Sequence, residues 1–147
     1  MRVIVTKSIS RFMPLFLIFC FAACSHISPF SPFAYEQSTS LKVESLNLMS
    51  KASEPYADCS DEIEAIKIKI EKAYEYAKGQ PKNELSAKQW QILMDPERNL
   101  LGGFLERWKA KSTLSDIFIR EAKGVVADAF NTIIGLESGK IKESEVK

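Results

Sequence analysis

The sequence predicts an all-α fold, a small antiparallel helix bundle. Three observations predict it. Apolar residues recur at spacings of three and four through most of residues 34–137, the signature of helices with one buried face. Nowhere does a run of β-branched residues alternate with polar ones between turn signals. Proline and glycine divide the periodic stretches into segments joined by short connections, which place consecutive helices side by side and antiparallel.

The elements follow in chain order. Arg2, Lys7 and Arg11 precede an apolar run from Phe12 to Ala23 that carries Pro14. A membrane-spanning helix needs about 20 apolar residues, so this run is too short to span. A basic start, a short apolar core and small residues at its end describe a secretory signal, with its positive charge on the cytoplasmic side. The run closes on Phe21-Ala22-Ala23-Cys24. This resembles the signal and lipobox of bacterial lipoproteins, with Phe21 where leucine is commoner. The resemblance covers the first 24 residues and implies cleavage after Ala23 and lipidation of Cys24. Cys20 follows the bulky Phe19 and suits cleavage less well. Bacterial lipoproteins carry three acyl chains, and two or more chains anchor stably at about 0.8 kcal/mol per buried methylene. The covalent lipid on Cys24 is the one non-protein group expected; no cofactor and no metal are. Ser25, where an aspartate would alter sorting, implies the outer membrane facing the periplasm in a Gram-negative envelope.

Residues 1–23 thus read as signal peptide, 24–33 as lipidated cysteine and tether, 34–137 as the helical domain and 138–147 as a polar tail. In the tether, Ser28-Pro29-Phe30 repeats as Ser31-Pro32-Phe33. Its prolines favour extended geometry, and at about 3.1 Å per residue it reaches less than about 30 Å. The domain therefore sits close to its bilayer, with Phe30 and Phe33 either dipping into the interface or packing on the domain. The single histidine, His26, lies in this tether without a second histidine or a carboxylate cluster.

One stripe at helical spacing joins Ala34, Ser38, Leu41, Ser45, Leu48, Ala52, Pro55, Cys59, Ile63, Ile66, Ile70, Ala73 and Ala77. Pro55 interrupts it, because a proline inside a helix removes a hydrogen bond and clashes with the preceding turn at about 3 kcal/mol. Two readings follow: two helices with a break near 54–60, which is preferred, or one long kinked helix. Asp61 with Glu64 marks a fresh start. Lys78, Gly79 and Pro81 mark the stop, with Gly79 as a left-handed cap.

Ser86-Ala87-Lys88-Gln89 has the pattern of a capping box, with Leu85 and Trp90 placed for a hydrophobic staple. This short helix ends near Met94. Asp95-Pro96 then opens another, with aspartate as cap and proline at the first position. Its apolar face is Leu101, Phe104, Leu105 and Trp108. Ser115 caps the last long helix, whose core face is read as Phe118, Ala122, Val125, Ala129, Phe130, Ile133 and Ile134. Gly135 or Gly139 ends it, and the tail from Ser138 frays.

Composition narrows the function. With Arg2, Lys7 and Arg11 removed, 20 basic residues become 17 against 19 acidic, and the formal charge moves from +1 to about −2. That near-balance argues against nucleic acid, which requires a clustered basic face, and against a polybasic membrane patch. Beyond Cys20 and Cys24 only Cys59 remains, so no internal disulfide forms; it reads as a packed thiol or as half of an intermolecular bridge.

Four residues are candidates for a site. Gly102 and Gly103 each cost about 1 kcal/mol relative to alanine inside a helix. Either another helix packs closely there, or a hinge or partner surface meets bare backbone. No lysine and serine or threonine follow them as in a phosphate loop. Trp90 and Trp108 either fill the core or form a recognition surface, where tryptophan is enriched. Tyr74 and Tyr76 lie on different faces, leaving one exposed. Glu71 and Glu75 share a face without a Glu-x-x-His partner and read as solvated. The expectation is a non-enzymatic envelope lipoprotein that binds or scaffolds a protein partner near the membrane. The alternative is an immunity, inhibitor or exclusion lipoprotein that blocks an incoming toxin, enzyme or phage. A third, weaker reading is a small-ligand carrier with a cavity beneath Gly102-Gly103.

Overall fold

The first helix starts two residues earlier than the periodicity places it. In the computed structural model, which describes residues 30–141 and 145–146, α1 spans Pro32–Ser50. Ser31 caps it: its hydroxyl accepts from the Ala34 N–H at 3.2 Å. Pro32 fills the first turn, where a missing N–H leaves nothing unpaired. Pro32 and Phe33 therefore belong to the helix and not to the tether. The leader, Cys20, Cys24 and His26 lie outside the described residues.

α1 buries Ala34, Ser38, Leu41, Ser45, Leu48 and Met49, which is the expected stripe widened by Met49. Pro55 makes a break, not a kink. The chain turns after Ser50, winds a short 3-10 turn over Tyr56–Cys59, and enters α2, Ser60–Gly79. Asp61 and Glu62 lie in the first turn of α2, where their charge suits the positive end of the helix, but neither caps it; Cys59 holds the cap position. The buried face of α2 is Ile63, Ile66, Ile70, Ala73 and Ala77, as expected. Gly79 stays in the helix, and the positive φ of this connection falls on Lys82, at 58°.

Two helix starts differ from expectation. α3 spans Glu84–Met94 with Asn83 at the cap position. Ser86 is therefore inside the first turn and 1% exposed, and it is not a cap. Asp95-Pro96 opens a turn and not a helix. The Asp95 carboxylate accepts from the Glu97 N–H at 3.0 Å, and the Asp95 carbonyl accepts from the Arg98 N–H at 3.2 Å. Those local bonds compete successfully with helix formation, and α4 begins only at Leu101, running to Lys111.

The last helix, α5, spans Asp116–Glu137. Ser115 caps it as expected, accepting from the Phe118 N–H at 3.4 Å. Gly135 is buried within it, and Gly139, at φ +67°, ends it. The N–H groups of Lys140 and Ile141 donate back to the Gly135 carbonyl at 3.0 and 3.1 Å. Residues 138–141 thus fold back to close the helix, and the Ile141 side chain lies over Gly135.

Cross-helix pairs fix the arrangement. Lys51 meets Glu62 and Glu44 meets Lys69, each at 2.7 Å, so α1 and α2 are antiparallel. Lys42 donates to Asn131 at 2.6 Å, and Lys123 to Ser50, so α1 and α5 are antiparallel too. Trp90 meets Phe130 edge-on at 5.9 Å, and Ser86 donates to Glu137, which makes α3 and α5 antiparallel. The helices α1, α2, α3 and α5 form a ring in which α1 and α3 each lie between α2 and α5. Met49, Ile63, Ile70, Trp90, Leu93, Phe130 and Ile133 fill its centre. Each such side chain contributes roughly 1.5–3 kcal/mol on burial, far more than the exposed ion pairs on the rim. α4 lies at one end, against α3 and the 3-10 turn.

Candidate functional site

The two tryptophans are core residues. Trp90 is 2% exposed, against Phe130, and Trp108 is fully buried beside Tyr56 and Phe104. Gly102 and Gly103 lie in the first turn of α4. What approaches them is no helix face but the chain immediately before α4. A Cβ on Gly102 would collide with the Met94 carbonyl and reach 2.8 Å from the Asp95 carbonyl oxygen. One on Gly103 would collide with the Arg98 carbonyl and reach 3.1 Å from that of Pro96. The space that a side chain on either glycine would take is thus filled by backbone carbonyls.

Gly103 also borders an open groove of about 180 Å³ between α4 and α5. Phe104 and Phe118 stack across it, nearly parallel at 3° with centroids 6.0 Å apart. The Arg107 guanidinium lies 4.4 Å from the Phe118 ring centre, a cation–π placement. Asn99, Arg107 and Glu121 supply polar groups, and Ala122 and Val125 extend the apolar wall.

The groove arises from the helix face on which the sequence reading and the fold part company. α5 buries Ile119, Val126, Phe130, Ile133 and Leu136. Phe118, Ala122 and Ala129, expected in the core, are half-buried, and Val125 is 51% exposed. α5 carries two neighbouring apolar stripes. The ring of α1, α2, α3 and α5 uses one, and the other turns toward α4 and solvent. Ile117, 62% exposed, continues it at the helix start.

The groove residues Arg107, Glu121 and Phe118 were not legible as a site. The available signal was the excess of apolar positions on α5 over what one buried face needs. A second missed cluster is polar and buried. Asn83 and Ser86, at the start of α3, both donate to the Glu137 carboxylate at the end of α5, Asn83 at 3.2 Å. All three are at most 5% exposed. The Asn83 amide thus serves Glu137 in place of capping its own helix.

The remaining candidates resolve simply. Tyr74 and Tyr76 are both half-buried: Gln91 donates to the Tyr74 hydroxyl at 2.9 Å, and the Tyr76 hydroxyl shares a 3.0 Å hydrogen bond with Ser31. Glu71 and Glu75 are exposed, and Glu75 pairs with Lys78 at 3.3 Å. Cys59 is a free, buried thiol. Burial, followed by the charges of Glu54 and Glu62, pushes its pKa up, which disfavours the thiolate and with it reactivity. Among the described residues no cluster of histidine, cysteine, aspartate and glutamate could hold a metal ion, and no helix is long and apolar enough to cross a membrane. No known family, curated protein or solved structure matches the chain.

Proposed function

We propose that the chain is a lipid-anchored envelope protein without enzymatic activity, whose bundle binds or scaffolds a protein partner through the α4–α5 groove. Two features support the reading. The lipobox-like Phe21-Ala22-Ala23-Cys24 places an anchor ahead of α1. The single observation that carries the contact is the groove itself: an open apolar floor of Phe104, Phe118 and Val125, with Arg107 and Glu121 beside it. That composition, an aromatic centre with an arginine and a polar edge, is what protein interfaces favour.

The placement suits the task. The level of α5 that lines the groove lies beside the end of α1, since Lys123 meets Ser50. A helix of 19 residues is about 28 Å long. On this reading the anchor joins one end of the bundle and the groove lies toward the other.

The test is site-specific photo-crosslinking in intact cells. A photoreactive residue replaces Val125 in the groove or, as control, the exposed Ile68 on α2. The expected result is one dominant envelope protein joined from position 125 and not from position 68. Equal or absent adducts from both positions would remove the groove reading. An adduct that forms only on challenge with a toxin or phage would replace scaffolding with immunity or exclusion. In parallel, labelled palmitate is expected on the natural chain and not on Cys24→Ser.

A further inference from the structure

We infer that Phe30, Phe33 and Tyr35 form a second membrane contact, seating the N-terminal end of the bundle in the headgroup region of the bilayer. The inference rests on the anchoring reading for its placement. Among the described residues, three of the seven exposed large apolar side chains fall within residues 30–35: Phe30 at 57%, Phe33 at 55% and Tyr35 at 37%. They are held, not loose. The Phe33 ring lies 4.9 Å from that of Tyr76, and the Phe30 ring 6.2 Å from that of Tyr35. The hydrogen bond between Ser31 and Tyr76 pins the chain to α2. Rings fixed by neighbours yet open to water, Phe30 and Phe33 over more than half and Tyr35 over about a third of the residue surface, carry apolar area that a second phase would cover.

The phase is set by what precedes them. Cys24 stands six residues before Phe30, and six extended residues reach at most about 20 Å. A lipid on that cysteine brings this end of the bundle to the membrane surface. Tyrosine favours the boundary between headgroups and acyl chains, and phenylalanine is among the apolar side chains that interfacial helices bury there. The charges near this end have both signs: Glu36 and Glu84 against Lys82 and Lys140, with Glu75 and Lys78 paired. Attraction to acidic lipid is therefore not the driving term, and the contact should form on a neutral bilayer.

The experiment uses the full chain, purified from cells with its natural processing, and phosphatidylcholine vesicles whose lipids are brominated near the headgroup end of the acyl chains. Phe33→Trp reports on the proposed contact, and Ile117→Trp, at the opposite end, is the control. Trp90 and Trp108, buried inside the bundle, give a shielded background. The added emission of Phe33→Trp is expected to fall roughly twofold, as for a ring seated 5–10 Å into the boundary, at low and high salt alike, while that of Ile117→Trp is unchanged. Protein that floats with the vesicles but shows no quenching would overturn the contact and leave the anchor standing. Quenching of protein that lacks the lipid would keep the contact and end the anchoring reading. Quenching that needs anionic lipid or vanishes in high salt would overturn the aromatic contact.

Discussion

The indole N–H of Trp108 donates to the backbone carbonyl of Glu54 at 3.0 Å, across the break that Pro55 makes between α1 and α2. It is one of three bonds holding that break to α4 and the connection after it. The Leu114 N–H donates to the Ala52 carbonyl at 2.7 Å, and the Tyr56 N–H to the Ser112 carbonyl at 2.9 Å. A turn that leaves backbone groups unpaired in its own helix thus finds partners in a segment about 60 residues away in sequence, as buried backbone must. Trp108→Phe keeps most of the ring volume and removes the donor. The expected loss is about 1–3 kcal/mol, from the missing hydrogen bond and a small void, read as a lower urea midpoint with unchanged slope. An unchanged midpoint would show that the break is held without Trp108.

The glycines of the chain divide sharply. Gly102→Ala places a methyl against the Met94 and Asp95 carbonyls, rigid backbone that cannot step aside, and should cost about 1–3 kcal/mol. Gly124, in the middle of α5, has nothing within 4 Å of a new Cβ. Gly124→Ala should therefore raise stability by about 0.5–1 kcal/mol, the helix-interior difference between the two residues. Thermal unfolding of the pair tests the account; equal shifts of the same sign would sink it.

Ser86, Asn83 and Glu137 form a buried set in which two donors share one carboxylate oxygen. Ser86→Ala leaves that carboxylate with Asn83 as its one remaining partner in the set, and about 1–3 kcal/mol should be lost. Glu137→Gln keeps an oxygen acceptor within reach of both donors and should lose less. Urea unfolding of the single variants and of the double variant gives the coupling directly. A coupling near zero would mean that the set merely fills space.

Ser45 makes the opposite case. It is fully buried on α1, and its hydroxyl is the buried side-chain polar atom among the described residues that finds no hydrogen-bond partner. Ser45→Ala removes an unpaired group and improves helix propensity, so stability should rise by up to about 1 kcal/mol. Ser38→Ala is the contrast, because the Ser38 hydroxyl donates to the Ala34 carbonyl at 2.7 Å. A rise for Ser38→Ala that matched the one for Ser45→Ala would mean propensity alone is at work.

Periodicity was sufficient for α1 and α2, where every non-proline residue of the long stripe from Ala34 to Ala77 is buried. Each of these helices has one apolar face, so spacing leaves no choice about what turns inward. The Pro55 break and the Ser115 cap were also legible, because both act within a few residues of chain. Ser86 and Asp95 were misread for a physical reason: a serine or aspartate near a helix start has several possible partners, in its own turn or far along the chain, and sequence does not rank them. Ser86 turned to Glu137, 51 residues away, and Asp95 to its own turn.

Local chemistry thus settles the all-α character of the chain, its segmentation and the inward faces of two helices, because propensity, proline and spacing act over one or two turns. It does not settle which of the two stripes on α5 is buried, what fills the space beneath Gly102, or that Phe104 and Phe118 stack on an open groove. Those outcomes depend on which helices become neighbours. Burial is shared among all of them at once, and the ring of α1, α2, α3 and α5 covers Val126 and Phe130 while leaving Phe118 and Val125 to the groove.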